Sequence, residues 1–167
     1  YGYVYIRSEY PDAVEAMEIA VRAAREGGML GKNIAGSKYD YDMEVRMGAG
    51  AYVCGEETSL LESLEGKRGE VRAKPPLPAH VGLFSKPTVI NNVLSLASVP
   101  IIMSDGAAFY KNFGMGRSRG TMPIQLAGNI KHGGLFETAF GISLGELVDD
   151  IGAGTRSGRP VRAVQVG

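Results

Sequence analysis

The sequence predicts an α/β domain followed by a small α+β module, and three observations carry that prediction. Strand, amphipathic helix and strand succeed one another before Gly48. A glycine-rich turn then opens directly into a further helix. Beyond about residue 116 the pattern changes to strand, strand, helix, strand over a short stretch. The length of 167 residues suits one full domain or two small ones.

Taken in order, Tyr3–Arg7 is β-branched and aromatic, hence a strand. Pro11 suits a first helical position, where its missing N–H costs nothing. Val14, Met17, Val21 and Ala24 recur at helical spacing on one face, and Gly27-Gly28 ends the run. Met43, Val45 and Met47 alternate with Asp42, Glu44 and Arg46, so a second strand is expected there. Strand, helix, strand at this spacing reads as a βαβ unit with parallel strands. A helix from about Glu56 to Leu64 follows and stops at Gly66. A loop rich in charge and proline comes next, including Lys74-Pro75-Pro76-Leu77-Pro78. Asn91-Asn92 caps a helix containing Val93, Leu94, Leu96 and Ala97. Pro100 is expected to break or kink it. Gly106–Phe113 reads as one more short helix.

Gly114-Met115-Gly116-Arg117-Ser118-Arg119-Gly120 is the linker candidate, placing the domains at 1–116 and 117–167. Residues 1–113 carry 12 basic and 14 acidic side chains, and residues 114–167 carry 6 and 4, so the charge changes sign there. Strands are expected at Ile124–Ala127 and Leu135–Thr138, joined at Gly133-Gly134. Ser143 with Glu146 forms a capping box opening a helix through Ile151. Val161–Val166 is expected as a last strand. Tyr1 leads straight into a strand with no initiator methionine, and Gly167 closes one, so both ends are expected to lie inside a longer protein.

Composition excludes several functions. Eighteen basic against eighteen acidic residues leave no net charge, which argues against nucleic acid as partner. The single Cys54 forms no intrachain disulfide. It does not alone hold an iron–sulfur cluster, which takes about four thiolates, or a structural zinc. His80 and His132 are far apart with no acidic or sulfur cluster beside either, so no metal site is expected on this chain. The apolar run near Val99–Met103 is far short of the roughly 20 residues that cross a bilayer. Cytoplasmic residence and no membrane insertion are therefore expected.

Four features could carry chemistry. The turn Gly48-Ala49-Gly50-Ala51-Tyr52-Val53-Cys54-Gly55 lies between a strand and a helix N-terminus, the arrangement that presents backbone N–H groups to a phosphate or polar ring. It lacks a third glycine at dinucleotide spacing and any Gly-Lys-Ser/Thr, so tight packing of helix on sheet is the simpler reading. Glu56 and Glu57 either stabilise the positive helix end, worth roughly 0.3–1 kcal/mol each, or form a polar wall for a ligand. Lys67, Arg68, Arg72 and Lys74 form a solvated loop in which Lys74 is able to pair with an anion. Asn91 and Asn92 cap a helix, or donate to a ligand from its start.

The order of motifs goes further. Gly48 through Thr58, Leu64-Glu65-Gly66-Lys67-Arg68, Lys74-Pro75-Pro76-Leu77-Pro78 and Lys86-Pro87-Thr88-Val89-Ile90-Asn91-Asn92-Val93 follow one another. This series resembles the NADH-oxidising FMN flavoprotein subunits of complex I and their relatives, among them hydrogenase diaphorase subunits and formate dehydrogenase β subunits. The resemblance spans Tyr1 to Gly167. In the C-terminal third, Gly114–Thr121, Gln125–Asn129 and Arg156–Gly167 look most like the formate dehydrogenase β subunit.

The resemblance implies a Rossmann-like FMN-binding domain followed by a β-grasp, ubiquitin-like module. It puts Gly55, Glu56, Glu57, Asn91 and Asn92 at the flavin, and Glu57 and Lys74 at NADH. Glu62, later on the same helix, matches no site position. Leu77 stands where complex I members carry phenylalanine, so nucleotide stacking is not carried over to it. The implied function is hydride transfer between NAD(H) and FMN, with electrons passed to or from iron–sulfur centres that other parts of the parent hold. No side chain of this chain is expected to be catalytic. The expected setting is a multi-subunit redox complex, formate dehydrogenase first, with a respiratory NADH dehydrogenase or hydrogenase diaphorase as alternatives. A non-catalytic ligand-binding or docking module is the reading of another class.

Overall fold

The computed structural model describes residues 1–167, which form two compact units, Tyr1–Ile90 and Asn91–Gly167.

In the first unit, β1 (Gly2–Ile6) and β2 (Met43–Met47) pair in parallel, Gly2 opposite Met43 through to Ile6 opposite Met47. The crossover is α1 (Pro11–Glu26), with Pro11 in its first turn and Asp12 beside the positive end. The βαβ unit expected from periodicity is therefore present. Along α1, Val21 is buried and Val14, Met17 and Ala24 are half-buried, while every other residue is exposed. The apolar stripe faces inward because only that face offers four such side chains at helical spacing. Arg25 in the last turn ties the helix to β2, its Nε 2.9 Å from Asp42 Oδ1 and its Nη2 2.5 Å from the Met43 carbonyl.

After β2 the chain turns at Gly48–Gly50 and makes a 3-10 turn at Tyr52–Gly55. It then enters α2 (Glu57–Leu64), whose Thr58, Ser59 and Leu61 are the most buried side chains of the molecule. Gly48 is required by contact: a Cβ there would lie 2.5 Å from the Tyr5 hydroxyl. That hydroxyl is 2.8 Å from Ser63 Oγ on α2, so the closeness of Gly48 lets β1 and α2 meet. The proline-rich chain beyond α2 returns through a 3-10 turn at Leu83–Ser85.

The second unit opens with α3 (Val93–Lys111), capped by Asn92 as expected. The expected break at Pro100 does not occur. Pro100 leaves a carbonyl one turn back without its helical partner, and because α3 is unburied that carbonyl is open to solvent. The break falls at Gly106, at φ 87° and ψ 159°, a conformation closed to other residues. By length and composition α3, 19 residues long, is apolar enough to cross a membrane, with a mean hydropathy of 1.4 over its most apolar 18-residue window. No uninterrupted apolar run of that length marks it in the sequence, because Ser, Ala and Gly dilute the stretch without making it polar.

The segment expected as a linker is a hairpin of β3 (Gly114–Met115) and β4 (Ser118–Arg119). It has no slack. Arg119 Nη1 donates to the carbonyls of Lys111 and Gly114, Gly120 N donates to Phe113 O, and Phe140 N donates to Gly120 O. These bonds tie α3 to the chain beyond Gly120 within the compact unit Asn91–Gly167.

β5 (Thr121–Leu126) and β6 (Gly134–Ala139) pair antiparallel, joined by seven residues and not by a tight turn at Gly133-Gly134. The capping box at Ser143 and Glu146 is complete, opening α4 (Leu144–Glu146), which widens into a π-helical turn at Leu147–Ile151. The expected strand at Val161–Val166 is not formed; these residues pair with no other strand. Ile130, Leu147 and Val148 make the small core here. The architecture is mixed helix and strand, Rossmann-like in its βαβ unit.

Candidate functional site

Glu56 is the residue on which the site turns. It precedes α2 with extended backbone (φ −76°, ψ 137°), so its side chain folds back over the first helical turn. Oε2 accepts from Thr58 N at 2.8 Å, Ser59 N at 2.9 Å and Thr58 Oγ1 at 2.5 Å. The start of α2 is thus closed by the chain's own carboxylate, and these two amides are not free for a phosphate. The structural reading of Glu56 holds, and it removes the simplest form of anion binding at this helix end.

The second oxygen, Oε1, accepts from Lys74 Nζ at 3.1 Å, and Glu57 Oε1 lies 2.5 Å from the same ammonium. Residues seventeen and eighteen positions apart are therefore brought together in one ion-pair cluster. One cation between two carboxylates leaves the cluster with one net negative charge. Partial burial opposes ionisation of Glu56. The Thr58 hydroxyl, the Ser59 amide and the Lys74 ammonium outweigh it and hold the carboxyl down at about 2. Glu57 first, then Glu56, push the Lys74 ammonium up from its ordinary value. Both shifts favour the charged forms of Glu56 and Lys74. Gly55, just before the cap, has open space where a side chain would stand, so the cluster borders an unobstructed surface.

Lys74 is carried by the chain after α2, and that chain is pinned. Arg72 N donates to Thr58 Oγ1 at 2.9 Å. The Arg72 guanidinium reaches three acceptors: Glu62 Oε1 at 2.5 Å, Glu65 Oε1 at 2.9 Å and the Gly82 carbonyl at 3.1 Å. Glu65 also accepts from Lys67 Nζ at 2.7 Å and Phe84 N at 2.8 Å. Lys67, set against partial burial and joined by Arg72 and the Phe84 amide, holds the Glu65 carboxyl down at about 2. Glu62 is thus no bystander. A cavity of about 250 Å³ adjoins this network, lined among others by Thr58, Glu62, Glu65, Arg72 and Pro76.

Residues at the C-terminal end of β1 also border the glycine turn, and the sequence reading passed over them. At Gly50 (φ 92°) a Cβ would lie 3.6 Å from Ser8 Oγ and 3.7 Å from Glu9 Oε1. Arg7 Nε is 2.6 Å from Glu9 Oε2, and its guanidinium lies over the rings of Tyr10 and Tyr52. Cys54 is buried, and a side chain at Gly69 would strike its sulfur, so it packs. Leu77 is exposed. Asn91 and Asn92 belong to the second unit, where Asn92 Oδ1 accepts from Leu94 N at 2.8 Å.

The chain is 50% identical to the NADP-reducing hydrogenase subunit HndC of Solidesulfovibrio fructosivorans, over 99% of this chain and 34% of that protein. It is also 50% identical to an NADH-quinone oxidoreductase subunit of Rhizobium meliloti, over 98% of this chain and 39% of that one. The chain thus spans about a third to two-fifths of the length of these curated relatives. A crystal structure of an NAD+-reducing NiFe-hydrogenase in the H2-reduced state superposes with a TM-score of 0.76 at 37% identity, covering 92% of this chain and 25% of that one. Residues 1–101, which hold the βαβ unit, the Glu56–Lys74–Glu57 cluster and both asparagines, match the Complex I 51-kDa family described as the Nuo51 FMN-binding domain, and the chain belongs to that family.

Proposed function

We propose that this chain forms part of the subunit that exchanges a hydride between NAD(H) and FMN and passes electrons on to iron–sulfur centres held elsewhere in a multi-subunit redox complex. The observation that carries this reading is the Glu56–Lys74–Glu57 cluster beside the open space at Gly55. When bound, FMN supplies the hydride acceptor. The carboxylates of Glu56 and Glu57 accept hydrogen bonds, so they suit the N–H and O–H donors of a flavin ring edge, a ribose diol or a nicotinamide amide. Lys74 supplies the matching cation for a nucleotide phosphate. Each role is one of binding and orientation, and no side chain here needs to move a proton. Asn91 and Asn92 supply further flavin contacts.

In the second unit, residues 117–167 serve as a β-grasp-like docking module. The β5–β6 hairpin and the boxed helix start support this, being the first three elements such a module needs. The terminal substrate is set by the partner subunits. The relatives name hydrogenase and quinone-reductase subunits, and the C-terminal resemblance adds formate dehydrogenase. Assay of the purified complex with formate, hydrogen or quinone identifies it.

The test of the site uses Glu57→Gln in the full-length polypeptide as its host makes it, with exposed Glu70→Gln as control. Glu62→Gln is unsuitable, since Glu62 holds Arg72. Loss of one charge-assisted hydrogen bond is expected to cost about tenfold or more in kcat/KM for NADH. Equal kinetics in the two variants would place Glu57 outside the site.

A further inference from the structure

Lys74 is the flexible member of the cluster, and a lysine ammonium on four methylenes does not choose its place unaided. What holds it is the chain two residues upstream. The backbone of Arg72 is fixed to α2 through the Thr58 hydroxyl, and the same hydroxyl donates to Glu56. One side-chain oxygen therefore links the strap to the carboxylate that receives Lys74. The Arg72 guanidinium spends Nε on Glu62, Nη2 on Glu65 and Nη1 on the carbonyl of Gly82. Glu62 and Glu65 lie at the end of α2, while Gly82 lies ten residues past Arg72. Arg72 thereby closes the loop 72–82 on itself and clamps it to the helix, and this is the loop that carries Lys74.

We infer that Arg72 is a positioning residue for pyridine-nucleotide binding: it sets where the Lys74 ammonium stands relative to Glu56 and Glu57. The inference rests on the proposed role of Lys74. A planar fork with donors on three sides is needed, because the three acceptors come from two turns of a helix and a distant loop. A lysine at 72 keeps the charge and does not span all three. The guanidinium makes no contact with Glu56 or Glu57, so its influence on the cluster passes through Lys74 and the strap.

The test is a double-mutant cycle on Arg72→Lys and Lys74→Met in the full-length polypeptide with its FMN bound. Flavin content, KM for NADH and kcat with ferricyanide as acceptor are read. Arg72→Lys alone is expected to raise KM about tenfold, with kcat and flavin content close to wild type. In the Lys74→Met background it is expected to add little, because the group it positions is gone. If Arg72→Lys raises KM by the same factor in both backgrounds, or lowers kcat and flavin content without a KM effect, the inference is overturned and Lys74 keeps its role. If Lys74→Met leaves KM unchanged, the role of Lys74 and this inference fall together. Should Arg72→Lys fail to accumulate in folded form, Glu65→Gln carries the same cycle, since it removes one arm of the clamp and leaves Arg72 in place.

Discussion

Glu56 shows how one residue serves local structure and site together. A serine or aspartate at the same position would cap α2 equally well, yet neither is long enough to satisfy the first turn with one oxygen and offer the other to a lysine. Glu65 makes a similar double use at the other end of α2, taking Lys67 on one oxygen and Arg72 with the Phe84 amide on the other. Its carboxyl is held at about 2 in the folded chain against 4.5 ordinarily. Across that interval the unfolded chain binds the extra proton, so the bond network stabilises the fold fully above about pH 4.5 and is lost as pH falls toward 2. Unfolding of wild type and Glu65→Gln, followed by urea titration from pH 2 to pH 7, checks this. The two chains are expected to converge near pH 2, where the glutamate is protonated, and to separate as pH rises. A constant difference would show that the charge of Glu65 contributes nothing.

Elements were legible where a single periodicity decided them. The stripe Val14, Met17, Val21 and Ala24 sets α1, the alternation around Val45 sets β2, and Ser143 with Glu146 marks a helix start. They were obscured where small residues carry the backbone geometry. Gly116 at φ 57° turns a presumed linker into a hairpin, and Gly106, not Pro100, interrupts α3. In the candidate site, Glu56, Glu57 and Lys74 were legible by resemblance. Arg72 and Glu62 were not, since nothing local tells a clamping arginine from a solvated one. Asn92 presents the same ambiguity in the opposite sense. Its Oδ1 is consumed by Leu94 N, so only its amide donors remain for a flavin. Asn92→Asp keeps the cap and removes those donors, whereas Asn92→Ala removes both. In the full-length polypeptide, Asn92→Ala is expected to cost about 1 kcal/mol of stability and to weaken FMN. Asn92→Asp is expected to weaken FMN while keeping stability. Thermal unfolding beside flavin titration reads both quantities, and unchanged FMN affinity in both variants would reduce Asn92 to a cap.

At the scale of the whole molecule the limiting fact is how little is covered. Seven apolar side chains are buried in 167 residues. In the first unit the sheet has two strands, although parallel sheets are ordinarily shielded on both faces. In the second unit α3 is unburied along its length, with Val93 at 71% and Met103 at 80% exposure. A contiguous apolar surface of this kind drives association, and strand edges left open add a second route. The two cavities beside α2 measure about 250 and 220 Å³. Pockets that enclose a ligand the size of FMN run to about 300–1,000 Å³. Glu56, Glu57 and Lys74 line neither cavity, so as proposed site residues they would supply an open wall and not an enclosure. The 167-residue chain purified by itself is expected to self-associate and to hold FMN no better than about 100 μM, because an unenclosed wall forgoes most of the burial on which such affinity depends. Sedimentation velocity at increasing concentration, flavin fluorescence on titration with FMN, and ferricyanide reduction after adding NADH check the three parts. Micromolar FMN binding with NADH oxidation by monomeric chain would show instead that Gly55, Glu56, Glu57, Lys74, Asn91 and Asn92 suffice without further walls.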